Sequence, residues 1–288
     1  MVSSKFQTEV EVPDFGWQTG YQKNNIFLGS CFTENVGKKM EALKYNVDIN
    51  PFGILYNPVS VAHAVETLLV KKEFSQKDLI QHNGLWHSFY HHSRFSSINA
   101  IEALSKINER VKYSADFLSK ADFLFITFGT AWVFQYKKTG QTVSNCHKIP
   151  AKEFVRLRLK TDDIVEMYRE LIPKIRKINP DIKIIFTVSP IRHWKDGAIE
   201  NQRSKATLLL AVARLSENSG LENIGYFPAY EIVMDELRDY RFYSEDMIHL
   251  SEVAVKHIWE RFQAVLIDSE SRGLSEKVQK IANAMNHR

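Results

Sequence analysis

Cysteine is scarce in this chain. Cys31 and Cys146 are the only two cysteines among 288 residues, so a disulfide-stabilised scaffold is excluded. The first residues lack the apolar stretch of a secretory signal, and we therefore expect a reducing, cytoplasmic location. No apolar run approaches the roughly 20 residues that a membrane-spanning helix needs, so we expect no membrane span.

Other absences narrow the range of functions. The chain has no Gly-x-Gly-x-x-Gly sequence after a strand, no Walker loop and no strongly spaced set of Cys and His ligands. We therefore expect neither a cofactor nor a metal. The net charge is only +4 and no dense run of Lys and Arg occurs, so nucleic acid is not an expected partner.

The residues that are present predict an α/β fold. Apolar residues make up 44% of the chain, enough for a substantial core. Apolar runs at 26–29, 122–130 and 182–188 predict buried strands, and helical patterns lie between them. This alternation predicts a three-layer α/β/α sandwich around a central, mostly parallel sheet.

The sequence contains no linker, repeat or low-complexity boundary. We therefore predict a single domain over 1–288, with its core at about 6–268. Residues 6–12 are predicted to form an edge strand or an extended arm, and 272–288 a terminal amphipathic helix. Segment 81–97 carries four of the ten histidines among aromatic residues, and we predict that it is an insertion over the edge of the sheet.

The first buried strand ends in a candidate nucleophile. The apolar run 26–28 leads into Gly29 and Ser30, and a helical pattern follows at Thr33. Glycine allows a sharp bend, which would present the Ser30 hydroxyl at the carboxyl edge of the sheet, where open α/β folds bind their ligands. The alternative is an ordinary turn with a capping serine.

Asp246 and His249 are candidate partners of Ser30. Residues three apart in one turn lie side by side, so the Asp246 carboxylate can accept a hydrogen bond from one ring nitrogen of His249. The other nitrogen can then take the proton of Ser30. A helix-capping Asp and a surface His are the alternative. Cys31 is a rival nucleophile, because a helix start lowers a thiol pKa, but we expect its side chain to face the core.

Several blocks of residues follow one another in a characteristic order. They are 29–35 (Gly-Ser-Cys-Phe-Thr-Glu-Asn), 50–58, 124–132, 145–148, 189–193, 226–231 and 246–249. In this order they resemble the GSCFA family within the SGNH hydrolase superfamily, with Thr33 where Ala is usual. The resemblance implies a flavodoxin-like sheet and a catalytic triad of Ser30, Asp246 and His249.

The resemblance also implies how an oxyanion is stabilised. Members of the superfamily use the N–H of the nucleophile, here Ser30, a glycine N–H, here Gly53, and an Asn side chain. In this chain Ala131 stands at the place of that Asn. We expect Asn145 to supply the missing donor, and the alternatives are Thr130 and His147.

Aromatic and histidine side chains are expected to line the substrate site. The spacing of His87 and His91 suits a metal, but the Glu of a zinc protease is absent. A substrate-facing wall, or plain aromatic packing, is therefore favoured over a metal. The predicted substrate-binding residues are His87, His91, His92, His147, Arg192, His193 and Trp132.

These observations favour a serine esterase or O-acyl hydrolase. It would act through an acyl-enzyme on a small or carbohydrate-linked acyl ester. One alternative is an O-acyltransferase that uses the same triad, with a sugar hydroxyl in place of water. The other is a carbohydrate-binding protein that has lost catalysis, an alternative suggested by the missing Asn.

Overall fold

The computed structural model describes residues 8–217 and 222–286. Residues 6–7, where the predicted arm begins, lie outside these residues, and so does Gly220, which the sequence predicts to end a helix over 202–218. The described part of the arm forms no strand before Thr19, which pairs with Ile267 in an isolated parallel bridge. An extended arm is therefore the better description of this segment.

Ten strands and eight α-helices are described, together with short 3-10 turns and one π turn. The strands are β1 (Asn24–Gly29), β2 (Asn46–Ile49), β3 (Ile80–His82), β4 (Leu85–His87), β5 (Phe123–Phe128), β6 (Trp132–Tyr136), β7 (Thr142–Val143), β8 (Phe154–Arg158), β9 (Lys183–Val188) and β10 (Ile224–Tyr226). The helices are α1 (Cys31–Ala42), α2 (Pro58–Leu69), α3 (Ala100–Leu118), α4 (Thr161–Ile178), α5 (Gly197–Ser216), α6 (Ala229–Glu231), α7 (Glu252–Leu266) and α8 (Ser269–Asn286).

The central sheet has five parallel strands in the order β10-β9-β5-β1-β2. Counted within the sheet, this is the flavodoxin-like order 2-1-3-4-5, in which ligands bind where the strand order reverses. The reversal lies between β1 and β5. The α/β sandwich that the sequence predicted is thus confirmed.

Both faces of this sheet are covered. The β1 side chains of Ile26 and Leu28 pack with α2, α3, α4 and α5 on one face. Phe27 packs with α1 and α7 on the other face. Every residue of β5 is buried, as expected for a strand covered on both sides.

Two small sheets flank the carboxyl edge of the central sheet. The predicted insertion 81–97 forms an antiparallel hairpin of β3 and β4 and then a 3-10 turn. The second small sheet, in the order β7-β6-β8, was only partly predicted. Its strand β8 was missed because Phe154 is its only buried residue, and β2 was missed because it has just four residues.

Among the described residues, none of the helices combines the length and apolarity needed to cross a bilayer.

Candidate active site

Ser30 follows β1 at the switch point of the sheet. Gly29 has φ +145°, and a Cβ there would lie 2.2 Å from the Thr127 carbonyl oxygen, so only glycine fits. Ser30 is the N-cap of α1, but its side chain makes no capping hydrogen bond. Its Oγ is buried without a protein hydrogen-bond partner, and the residue is 2% exposed.

The start of α1 also decides between Ser30 and Cys31. The first N–H groups of a helix have no partner within it and carry partial positive charge. The Cys31 thiol is half-buried, 4.0 Å from the Tyr56 hydroxyl, and burial raises its pKa. A thiol that stays protonated is a poor nucleophile, so the structure favours Ser30.

Asp246 and His249 are held together in a loop. Asp246 Oδ1 accepts the N–H groups of Ile248 and His249 at 2.9 Å, and Oδ2 lies 2.5 Å from His249 Nδ1. The pair lies in the loop before α7, where Met247 has φ +56°, rather than in a helical turn. The hydrogen bond to His249 lowers the pKa of Asp246 to about 2, so this carboxylate stays ionised near neutral pH.

The loop that contains His249 is tied to the loop that follows β9. The Arg192 guanidinium donates to the Met247 carbonyl and stacks over the rings of Tyr240 and Tyr243. His193 is the next residue. The contact therefore joins the two histidine-bearing loops at the carboxyl edge of the sheet.

His249 and Ser30 are not hydrogen bonded to each other in the described structure. The His249 side chain is 52% exposed, and Ser30 Oγ has no partner. Catalytic hydrogen bonds are often made only when substrate is bound, so the triad remains a prediction, with its Asp246–His249 pair already in place.

Gly53 is not a free oxyanion donor. Its N–H donates to the Asn50 carbonyl oxygen at 2.7 Å. Gly53 is needed for another reason, because its φ is +82° and a Cβ would lie 2.2 Å from the His92 Cβ. The role predicted for its N–H is corrected accordingly, since a tight turn already uses that group.

Thr130 also has protein partners for its hydroxyl. Its hydroxyl lies 3.1 Å from Ser204 Oγ on α5 and accepts the Trp132 N–H. Ala131, at the place of the missing Asn, is fully buried and donates its N–H to the same Ser204. This turn therefore faces α5 rather than Ser30.

Asn145 has local partners in its own loop. Its Oδ1 accepts the His147 N–H at 2.8 Å, and its N–H donates to the Phe89 carbonyl. Among the described residues, its hydrogen bonds do not reach Ser30 or Gly53. The structure thus gives Asn145 a role in the turn after β7 and lends no support to the donor role predicted for it.

Three of the predicted substrate-binding histidines are buried in the fold. His91 is 0% exposed, bonds to Ser88 Oγ and stacks on Phe52. His87 and His147 are each 6% exposed and stack on one another at 4.4 Å. Their predicted contact with substrate is corrected, because this segment is a packed aromatic cluster. In the described residues no three His, Cys, Asp or Glu are arranged to hold a metal.

The other predicted substrate-binding residues are less buried. His92 is half-buried beside Gly53. Trp132, at the start of β6, lies under the Arg156 guanidinium at 4.2 Å from the ring centroid. His193 lies near Ser30: its Nε2 and Ser30 Cβ lie 3.1 and 3.5 Å from the point where a Gly129 Cβ would be.

Lys205 is a site residue that was missed. Its ammonium is buried and donates to the carbonyl oxygens of Gly129 and Ser189 at 2.7 and 2.6 Å. Burial lowers its pKa to about 7. The sequence does carry a signal for this burial. Lys205 lies at helical spacing from Asn201 and Leu208, and both of these residues are also buried on the inner face of α5.

Two solved structures are similar to this chain at low sequence identity. An acetyl xylan esterase from the rumen bacterium Butyrivibrio proteoclasticus is 12% identical, with a TM-score of 0.41 over 85% of this chain and 65% of that one. This chain therefore spans just under two thirds of that esterase. A carbohydrate esterase of family 3 from Talaromyces cellulolyticus is 8% identical, with a TM-score of 0.40 over 89% of this chain and 99% of that one.

The sequence itself was also compared with known proteins. No functionally curated protein matches it. The sequence profile of the GSCFA family matches residues 25–262, a range that includes Ser30, Asp246 and His249. This range covers most of the sequence, and the protein belongs to the GSCFA family.

Proposed function

We propose that this protein is a serine esterase or O-acyl hydrolase. It acts through an acyl-enzyme on a small or carbohydrate-linked acyl ester, with Ser30 as the nucleophile. The observation that carries the proposal is the 2.5 Å contact between Asp246 Oδ2 and His249 Nδ1. This contact fixes the imidazole and leaves its Nε2 available to accept a proton.

In the acylation step, Ser30 Oγ attacks the ester carbonyl carbon while His249 Nε2 takes the hydroxyl proton. The tetrahedral intermediate collapses, the C–O bond to the alcohol breaks, and the imidazolium returns the proton to the leaving alcohol. Water then attacks the acyl-enzyme with His249 again as base, which releases the acid and restores Ser30.

The electrostatics of the site support these roles. Asp246 is ionised near neutral pH because the hydrogen bond from His249 lowers its pKa to about 2, and it therefore stabilises the imidazolium that forms. The unpaired N–H groups at the start of α1 lie beside Ser30 and favour negative charge on the substrate oxygen.

The acyltransferase alternative is suggested by the aromatic segment 81–97, because aromatic walls suit sugar rings. His87 and His91 of that segment are buried in protein contacts and do not support it. The non-catalytic alternative depended on the missing Asn, and it predicts no ester turnover by the purified protein.

Turnover of p-nitrophenyl acetate by the wild type and by Ser30→Ala tests the proposal. We expect kcat to fall by at least roughly 1,000-fold in Ser30→Ala, because the attacking oxygen is removed. Ser93→Ala, which changes an exposed serine, is the matched control and should keep wild-type kcat. Equal turnover by Ser30→Ala and wild type would remove Ser30 from the mechanism, and an inactive wild type would favour the binding protein.

A further inference from the structure

We propose that His193 donates a hydrogen bond from Nε2 to the substrate oxyanion, in the position that an Asn side chain occupies in related enzymes. The inference rests on the proposed esterase function. It assigns His193 a role in the reaction itself, rather than the general contact with substrate predicted from the sequence.

The geometry around Gly129 places the imidazole beside the nucleophile. His193 Nε2 lies 3.1 Å from the point where a Gly129 Cβ would be, and Ser30 Cβ lies 3.5 Å from that same point. Ser30 and Gly129 end the two adjacent strands that flank the switch point. Because Gly129 has no side chain, the ring from the loop after β9 extends across it toward Ser30.

Three of the donors expected from the sequence are already hydrogen bonded within the protein. Gly53 N–H is bonded to Asn50, the Thr130 hydroxyl faces Ser204, and Asn145 is bonded within its own loop. Within residues 8–217 and 222–286, by contrast, no hydrogen bond is made by either ring nitrogen of His193. Its Nε2 is thus a polar side-chain atom close to Ser30 that is free to bind substrate.

The charge state of His193 suits a donor rather than a base. Burial and the nearby cations Lys205 and Arg156 lower its pKa to about 3. A neutral imidazole with its proton on Nε2 donates a hydrogen bond. It is a poor general base, because an effective base has a pKa near the working pH. His249, which is backed by a carboxylate, remains the base.

The imidazole is held in place from several sides. The His193 backbone N–H donates to Asn201 Oδ1 at 2.9 Å, and the Tyr56 ring packs edge-on against the imidazole at 5.5 Å between centroids. Lys205 joins the Gly129 and Ser189 carbonyls, which fixes the start of the His193 loop against the end of β5. Such preorganisation is what makes oxyanion donors effective.

The test compares His193→Ala and His193→Gln with the wild type on p-nitrophenyl acetate. We expect His193→Ala to lower kcat by roughly 100-fold or more with little change in KM. His193→Gln, which restores an amide donor, should recover at least about tenfold of that loss. His82→Ala is the matched control, because the His82 side chain makes no hydrogen bond in the described structure and should leave kcat unchanged.

The pH dependence of kcat separates a donor from a base. If His193 is a donor, His193→Gln keeps the acid limb of the wild-type profile, because His249 still accepts the proton. Loss of that limb in His193→Gln would overturn the proposal, as would wild-type kcat in His193→Ala. Complete loss of kcat in both His193→Ala and His193→Gln, with melting temperatures equal to that of the wild type, would also overturn it. The amide of Gln would then have failed to replace the imidazole as a donor.

Failure of this inference is distinguishable from failure of the proposed function. In the first case Ser30→Ala is inactive while His193→Ala turns over normally. In the second case the wild type itself does not turn over the ester, or Ser30→Ala does so at the wild-type rate.

Discussion

At the scale of single residues, two glycines leave space that the geometry of the candidate site requires. Gly29 and Gly129 both lie where a Cβ would meet other atoms, the first against backbone and the second against the His193 ring. The sequence allowed the bend at Gly29 to be predicted from its place between an apolar run and a helix. The approach of His193 to Gly129 was not predictable, because it joins two loops that are distant in the chain.

A residue-scale prediction concerns Gly129→Ala. The new Cβ would lie 3.1 Å from both His193 Nε2 and the Tyr56 carbonyl oxygen, closer than most real Cβ contacts. A side chain yields more readily than backbone, so the imidazole is the group expected to shift. We expect kcat on p-nitrophenyl acetate to fall by roughly tenfold or more, with the fold retained, as one oxyanion donor is displaced. Steady-state kinetics and circular dichroism measure the two effects.

The matched control is Gly273→Ala on α8. No heavy atom lies within 4 Å of a Cβ at Gly273, and alanine in a helix interior is more favourable than glycine by about 0.5–1 kcal/mol. This variant should keep wild-type kcat. If Gly129→Ala also keeps wild-type kcat, the position assigned to the His193 imidazole is contradicted.

At the scale of elements, α5 connects the ends of two sheet strands. Lys205 donates to carbonyls that follow β5 and β9, and Ser204 binds the turn at Thr130 and Ala131. The pattern of apolar residues predicted a helix here but began it at 202, five residues after its start at Gly197. The burial of Lys205 was not predicted, because lysine is almost never fully buried, although its spacing with Asn201 and Leu208 places it on the buried face of the helix.

An element-scale prediction concerns Lys205→Met. The change leaves the buried carbonyls of Gly129 and Ser189 without their donor, while it removes the cost of burying an ammonium group. We expect the free energy of unfolding to fall by about 2 kcal/mol, as measured by urea denaturation. kcat should fall as well, because the His193 loop loses its attachment to β5.

The control for this prediction is Arg203→Gln on the same helix. Arg203 is exposed and pairs with Glu200, and exposed ion pairs contribute little to stability. Its unfolding curve should match that of the wild type. An unchanged unfolding free energy in Lys205→Met would mean that the two buried hydrogen bonds do no more than offset the cost of burying the ammonium, and it would contradict the prediction.

At the scale of the whole molecule, the strand order brings distant residues to one edge. Ser30, Gly129 and Ser189 follow three neighbouring parallel strands. The alternation of strands and helices predicts that they share the carboxyl edge of the sheet, but not that their strands are neighbours. The sequence did not predict the interior position of the histidine-rich segment. Histidine is amphipathic, and its burial depends on partners such as Ser88, which only the folded chain supplies.

These buried histidines predict a loss of stability in acid. Burial lowers the pKa of His91 to about 3 and, together with nearby histidines, that of His147 to about 4. In the unfolded chain both take up a proton near pH 6.5, so the unfolded state binds more protons between about pH 6.5 and 4. The free energy of unfolding should therefore fall as the pH falls through this window, by about 1.4 kcal/mol per pH unit for each fully buried histidine.

Urea denaturation across this pH window measures the effect. His91→Phe should flatten the dependence of the unfolding free energy on pH, because it removes one group that the unfolded state protonates. This expectation holds whatever the variant's stability at neutral pH. Identical slopes for His91→Phe and wild type would show that His91 is not held neutral by the fold.

The most direct test of the account is the site at which the protein becomes acylated. The protein is mixed with p-nitrophenyl acetate, quenched in acid within the first turnovers, and examined by intact-mass spectrometry and peptide mapping. The account predicts one added acetyl group on Ser30, retained in Cys31→Ala and absent from Ser30→Ala. Rapid ester turnover with the acetyl group on Cys31, or on any residue other than Ser30, would contradict it.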